Sequence, residues 1–265
     1  MRYVILALLL VANTALADAF DHQHKQFTEL LQKHVVNYDE QRKSAVDYAA
    51  LAADSTQLQR YLTSLSAVSS GHYDEWTDAQ QLAFLINAYN AFTLQFIVQN
   101  YDQFASGEAD SIRDLGGLFS SPWQQEFFVL LGQQRSLDWL EHEKIRVDFT
   151  EPRIHAALVC AALSCPKLRT EAYQADVLQS QLEDQLVTFL SDRDYHGFDA
   201  DGLYLSKIFD WYNDDFETGG RLGLLQYFQP YARILTDEQL SQLPITTRLR
   251  FVDYDWTLNS VDNMR

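Results

Sequence analysis

The chain has two cysteines, five prolines and ten glycines in 265 residues. Two cysteines cannot staple a disulfide scaffold. So little proline and glycine excludes collagen-like and low-complexity architectures. Basic residues are also scarce, with 20 Lys and Arg against 37 Asp and Glu and a formal charge of −17. A surface that tracks phosphates needs clustered cations, so nucleic acid is excluded as a partner. The same acidity opposes binding to anionic lipid headgroups. After the first seventeen residues no segment reads as long and apolar enough to span a bilayer, so stable membrane insertion is not expected. What is present is apolar mass: 47% hydrophobic and 13% aromatic residues, enough for a large core.

The N-terminus has its own logic. Met1-Arg2 is a short positive start, Tyr3 to Ala12 is almost wholly apolar, and Ala15-Leu16-Ala17 is a small-x-small cleavage pattern before Asp18. The expectation is a signal peptide over 1–17 and a periplasmic or secreted protein. Residues 18–46 then read as a helical extension and 47–265 as one globular domain, because no repeat or Pro/Gly/Ser-rich linker divides them.

Periodicity predicts a helix from Asp21 to Val36, with Phe27, Leu30, Leu31 and His34 on one stripe. Thr77-x-x-Gln80 reads as a capping box opening a helix that is apolar nearly all round, hence central. Asn100 to Pro122 reads as a loop, Glu126 to Leu131 as a strand entering a turn at Gly132-Gln133, and Leu137 to Arg146 as a short helix. Pro152 opens a helix expected to stop near Ser164, since Pro166 disfavours helical geometry at Cys165. Further helices are expected over Gln174 to Leu190 and from after the Leu203–Leu205 strand to Phe216. Thr236-x-x-Gln239 suggests a second capping box, and Leu249 to Tyr254 a late strand. The class is α+β: a helix-dominated single domain with a small, mostly antiparallel sheet.

No G-x-S-x-G elbow, phosphate loop, dinucleotide fingerprint or H-E-x-x-H helix is present, and no cofactor is implied. The informative residues are polar groups in apolar surroundings. Asn87 and Asn90 share one face of the central helix, as a structural network or as substrate-positioning and oxyanion donors. Glu141 sits at the edge of an apolar stripe, while Asp138, His142 and Arg146 form an i, i+4, i+8 row on the same helix. His155, Cys160 and Cys165 fall within eleven residues. One reading is a disulfide, which requires the helix to end between the cysteines, since five helical residues separate Cα atoms by about 8–9 Å. Another is a nucleophilic thiol at Cys165 served by His155. Metal binding fits no common ligand spacing, so no metal is expected.

Five ordered blocks resemble the domain-of-unknown-function 547 family. They are Ile86-Asn87-Ala88-Tyr89-Asn90-Ala91; Leu137 to His142 through Arg146; Pro152 to Leu158 with Cys160 and Ser164-Cys165-Pro166; Ser206 to Tyr212 with Asp215-Phe216; and Tyr254 to Asn259. The resemblance spans roughly Asp47 to Asn259 and departs from the family pattern at Val159-Cys160-Ala161. It implies a fold rather than an activity. From the residues, the leading functional expectation is a thiol-dependent hydrolase or acyl transferase acting on an amide or ester, such as a peptide or other cell-envelope substrate. Cys165 is the expected nucleophile, His155 the acid–base, Glu141 its orienting carboxylate and Asn90 or Asn87 the oxyanion donor, supported by His142, Arg146 and Cys160. The alternative is a non-catalytic envelope binding or scaffold module in which the Cys160/Cys165 pair is structural.

Overall fold

The computed structural model describes residues 20–117, 120–216 and 219–264; the expected signal peptide lies outside them. Its axis is the helix Asp78–Gln99, opened by a reciprocal capping box in which Thr77 Oγ1 accepts the Gln80 amide and Gln80 Oε1 accepts that of Thr77. Every residue from Leu82 to Leu94 is buried. This helix is in fact long and apolar enough to cross a membrane, contrary to the reading of composition, yet protein surrounds it on all sides. Helix Thr56–Ser66 packs on it, and helix Lys25–His34 packs on that one, with Phe27, Leu30, Leu31, Leu58 and Leu62 in the shared core.

Strand is sparse. β1 (Val35–Tyr38) and β2 (Lys43–Val46) form one antiparallel hairpin, β3 (Phe128–Leu130) and β4 (Gln133–Arg135) another. The second turns on Leu131 and Gly132, both at positive φ (53° and 79°), as a two-residue turn with that twist demands. β5 (Gly197–Asp199), β6 (Gly202–Leu205) and β7 (Leu249–Phe251) form a three-stranded sheet in which only β6–β7 is parallel. The protein is thus a helix-dominated α+β fold. A second apolar cluster, built around Phe209, Phe216 and Phe228, packs this sheet against the helix Leu178–Leu190. Those aromatics serve the core, whereas Trp211 remains 45% exposed.

Several local expectations are corrected. Val35 and Val36 leave the first helix for β1, and the segment after Asn100 holds a short helix, Tyr101–Ala105. The helix after β6 is only Ile208–Trp211, followed by a tight 3-10 turn Asn213–Asp215. Thr236 opens no helix: its hydroxyl donates to the Ala232 carbonyl at 2.8 Å and accepts the Leu240 amide at 3.0 Å, and Asp237 and Glu238 take positive φ, which a right-handed helix forbids. The helix expected from Pro152 to Ser164 is a 3-10 turn, Pro152–Ala156. It stops because Asn90 takes the next backbone groups for itself: its Nδ2 donates to the Ala157 carbonyl (3.0 Å) and its Oδ1 accepts the Val159 amide (2.9 Å). Ala161, at φ 62°, then turns the chain back.

Candidate functional site

That early stop shapes a cleft of about 290 Å³, lined by Glu141, His142, His155, Cys160, Cys165 and Tyr254 and walled by Trp123, Trp211 and Trp256. One wall comes from Trp139–Ile145, which winds as a π-helix, a rare form often found at functional sites. Ser136 Oγ accepts the Trp139 amide at its start, and at its end the Arg146 amide reaches back to the Glu141 carbonyl. The row Asp138, His142, Arg146 is therefore more than a surface ladder. His142 Nδ1 accepts from Arg146 Nη1 at 3.0 Å, and Arg146 grips Asp215 through Nε and Nη2 at 2.6 and 2.7 Å.

Asp215 also takes His155. His155 Nε2 lies 2.7 Å from Asp215 Oδ2, and the imidazole stacks on the Tyr212 ring at 3.9 Å between centroids. Burial opposes the Asp215 charge, but the hydrogen bonds from His155 and Arg146 outweigh it and hold the carboxyl well below the usual carboxylate range. With Nε2 on the carboxylate, Nδ1 is the ring nitrogen left for other chemistry. The orienting carboxylate is thus Asp215, sixty residues along the chain, and not Glu141. Glu141, 7% exposed, lies instead against the phenols of Tyr89 and Tyr212. Burial first, and the Glu141 carboxylate second, raise both phenols well above their ordinary pKa.

The cysteines meet in the same cleft. They are free thiols, and the turn at Ala161 rather than a helix sets their approach. The Cys160 amide donates to Cys165 Sγ at 3.1 Å, and the Tyr254 hydroxyl stands 3.1 Å from Cys165 Sγ and 3.2 Å from Cys160 Sγ. Burial works against a Cys165 thiolate. Hydrogen bonds from the Cys160 thiol, the Tyr254 hydroxyl and the Ala162 and Cys160 amides overcome it, and the Cys165 pKa falls below its ordinary value. Cys160, donating to Cys165 and buried, is pushed up. Tyr254 is held in place by the tail beyond it. The Leu163 amide donates to the Thr257 carbonyl (2.8 Å), the Asp255 amide to Ser164 Oγ (2.8 Å) and the Asn259 amide to the Ala161 carbonyl (3.1 Å).

Glu141, His155 and Cys165 therefore line one cleft, but no direct hydrogen bond joins the three. Asn87 and Asn90 are not donors to it. Both amide ends of Asn90 are spent on Ala157 and Val159, and both ends of Asn87 on the Tyr173 carbonyl (2.8 Å) and amide (2.9 Å). The residues missed from sequence are Asp215, Tyr212, Tyr89 and Tyr254. Each falls inside one of the five blocks, but chain spacing gives no sign that they meet. Among the described residues no group of three or more His, Cys, Asp or Glu side chains is placed to hold a metal ion.

No curated protein and no solved structure matches the chain. Residues 73–190 match a family model described as "Protein of unknown function, DUF547", a span that holds Glu141, His155 and both cysteines but neither Asp215 nor Tyr254. Over that span the chain is similar to the DUF547 family, in line with the resemblance of its sequence blocks.

Proposed function

We propose that the cleft is the acyl-transfer site of an exported thiol-dependent hydrolase or acyl transferase, acting on an amide or ester of the cell envelope. One observation carries the reading: a sulfur at Cys165 surrounded by donors shares a cleft with an imidazole whose other nitrogen is fixed by Asp215. In a hydrolase, Cys165 attacks the carbonyl carbon as a thiolate and the carbonyl electron pair moves to oxygen, where the Tyr254 hydroxyl donates. The tetrahedral species collapses as His155 protonates the leaving amine or alcohol. The imidazole then takes a proton from water, which attacks the thioester and frees Cys165. Asp215 keeps the ring oriented and stabilises its cation, as the buried carboxylate does in acyl-transfer triads. In this scheme Tyr254, Cys160 and the amides make the thiolate, and His155 serves the leaving group and the water. The acidic side chains Asp138 and Glu141 in the cleft favour neutral or cationic acyl donors over anionic ones.

The test uses p-nitrophenyl acetate, whose leaving group needs no acid. Wild-type protein should release a burst of nitrophenol equal to one site and then turn over slowly. Cys165→Ser should abolish the burst. His155→Ala and Asp215→Asn should keep it and lose most of the later turnover, which needs the base. A burst undiminished in Cys165→Ser defeats the assignment, and the patch is then a packed structural element of a binding module.

A further inference from the structure

The acyl-transfer scheme uses one sulfur, yet the fold brings two to the same hydroxyl. Cys160 and Cys165 both line the cleft, both lie within 3.2 Å of Tyr254 Oη, and the Cys160 amide already donates to Cys165 Sγ. The pair is unequal. Cys165 Sγ accepts the Cys160 amide and stands beside the Cys160 thiol and the Tyr254 hydroxyl, whereas Cys160 has its own proton to give. Unequal thiols at contact distance are what a two-step exchange requires: a nucleophile that reacts first and a partner that displaces the first product.

We infer that Cys160 is the resolving thiol of Cys165, so that the cleft performs thiol–disulfide exchange with low-molecular-weight disulfides of the glutathione type. The inference rests on the proposed function only in taking Cys165 as the nucleophile. In the first step the Cys165 thiolate attacks one sulfur of the disulfide, the S–S bond breaks, and one thiolate leaves and is protonated by water. A mixed disulfide remains on Cys165. In the second step Cys160 attacks Cys165 Sγ, its proton passing to the second departing thiolate, for which the Tyr254 hydroxyl between the sulfurs supplies a route. Two electrons have moved from the protein's thiols to the small disulfide, which leaves as two thiols. The product is a Cys160–Cys165 bridge. A reducing dithiol reverses both steps.

The geometry favours closure over a lasting adduct. The two sulfurs already flank one oxygen and the Cys160 thiol is hydrogen-bonded to Cys165, so the pair begins in contact. A retained glutathionyl group, by contrast, has to share a cleft of about 290 Å³ with three tryptophans. Closure also removes the nucleophile, so the bridged form is silent in acyl transfer until reduced. An acyl donor and an oxidant therefore compete for the same sulfur.

The experiment incubates the reduced full chain with glutathione disulfide at pH 6 to 7, quenches with acid and reads intact and peptide masses. Wild-type protein should lose two hydrogens, retain no glutathione and recover its thiols with dithiothreitol. Cys160→Ser should stop with one glutathionyl group on Cys165, and Cys160→Ala serves if the serine variant does not fold. In Cys165→Ser the remaining thiol should react at least about tenfold more slowly, because it lacks thiolate character. Wild-type protein that accumulates a stable glutathionyl adduct, or stays reduced throughout, overturns the inference. Iodoacetamide labelling of reduced protein at pH 6 separates the two failures. Fast Cys165 alkylation with a retained adduct removes only the resolving role. A bridge that forms although Cys165 shows no more reactivity than an ordinary thiol removes the thiolate on which acyl transfer depends, and overturns Cys165 as the attacking sulfur while leaving the pairing of the two thiols.

Discussion

Asn87 and Asn90 allow a test that separates stability from site geometry. Each side chain acts as a clamp on another segment's backbone, with one donor and one acceptor used at 2.8–3.0 Å. Replacing either with Leu strands one buried carbonyl and one buried amide, each costing about 1–3 kcal/mol. The added apolar surface returns about 1–2 kcal/mol. At the middle of these ranges each variant should be destabilised by about 2–3 kcal/mol, read from urea midpoints with an unchanged slope. The two should differ in what else they do. Asn90 clamps the segment between His155 and Cys160, so Asn90→Leu should also slow Cys165 alkylation at pH 6. Asn87 clamps Tyr173, which does not line the cleft, so Asn87→Leu should leave the folded protein's alkylation rate unchanged. Midpoints equal to wild type in both variants, or equal effects of both on alkylation, would refute the reasoning.

Replacing Glu141 by Gln should spare the slow turnover of p-nitrophenyl acetate, whereas Asp215→Asn should reduce it by about a hundredfold or more, because only Asp215 holds the imidazole; the reverse ranking would restore Glu141 as the orienting group. Tyr254→Phe removes a donor from Cys165 Sγ and should raise its apparent pKa, measured from iodoacetamide rates between pH 5 and 9, slowing alkylation at pH 6 by about tenfold per unit of rise. Burial lowers the His24 pKa to about 4 and that of His196 to about 3. The unfolded chain then binds more protons below pH 6.5, so stability present above that value is lost as pH falls, by about 3 kcal/mol at pH 4 for His24 alone. Urea midpoints that do not fall between pH 7.5 and 4.5 would show that these rings are solvated. Exported material should begin at or near Asp18 on N-terminal sequencing; a retained Met1 would refute cleavage after Ala17.

Sequence alone determined what short-range forces decide. The Thr77–Gln80 box is complete within four residues and the apolar repeat of the central helix within a few turns, whereas the turn expected at Gly132-Gln133 falls one residue earlier, at Leu131-Gly132. The helix-dominated class follows from such elements, and the five ordered blocks hold the lining residues of the cleft apart from Ser121 and Trp123. Reading the same signals failed where a distant group competed for the backbone. Nothing in Pro152 to Ser164 announces that Asn90 will take the Ala157 carbonyl and the Val159 amide and end the helix. Tertiary structure alone decided the partners. Asp215 reaches His155 across sixty residues, and Tyr254 reaches the two sulfurs across 94 and 89. A carboxylate's place along the chain does not say which imidazole it faces; that is fixed when the tail beyond Tyr254 pairs with the cysteine loop and the turn Asn213–Asp215 closes on the π-helix.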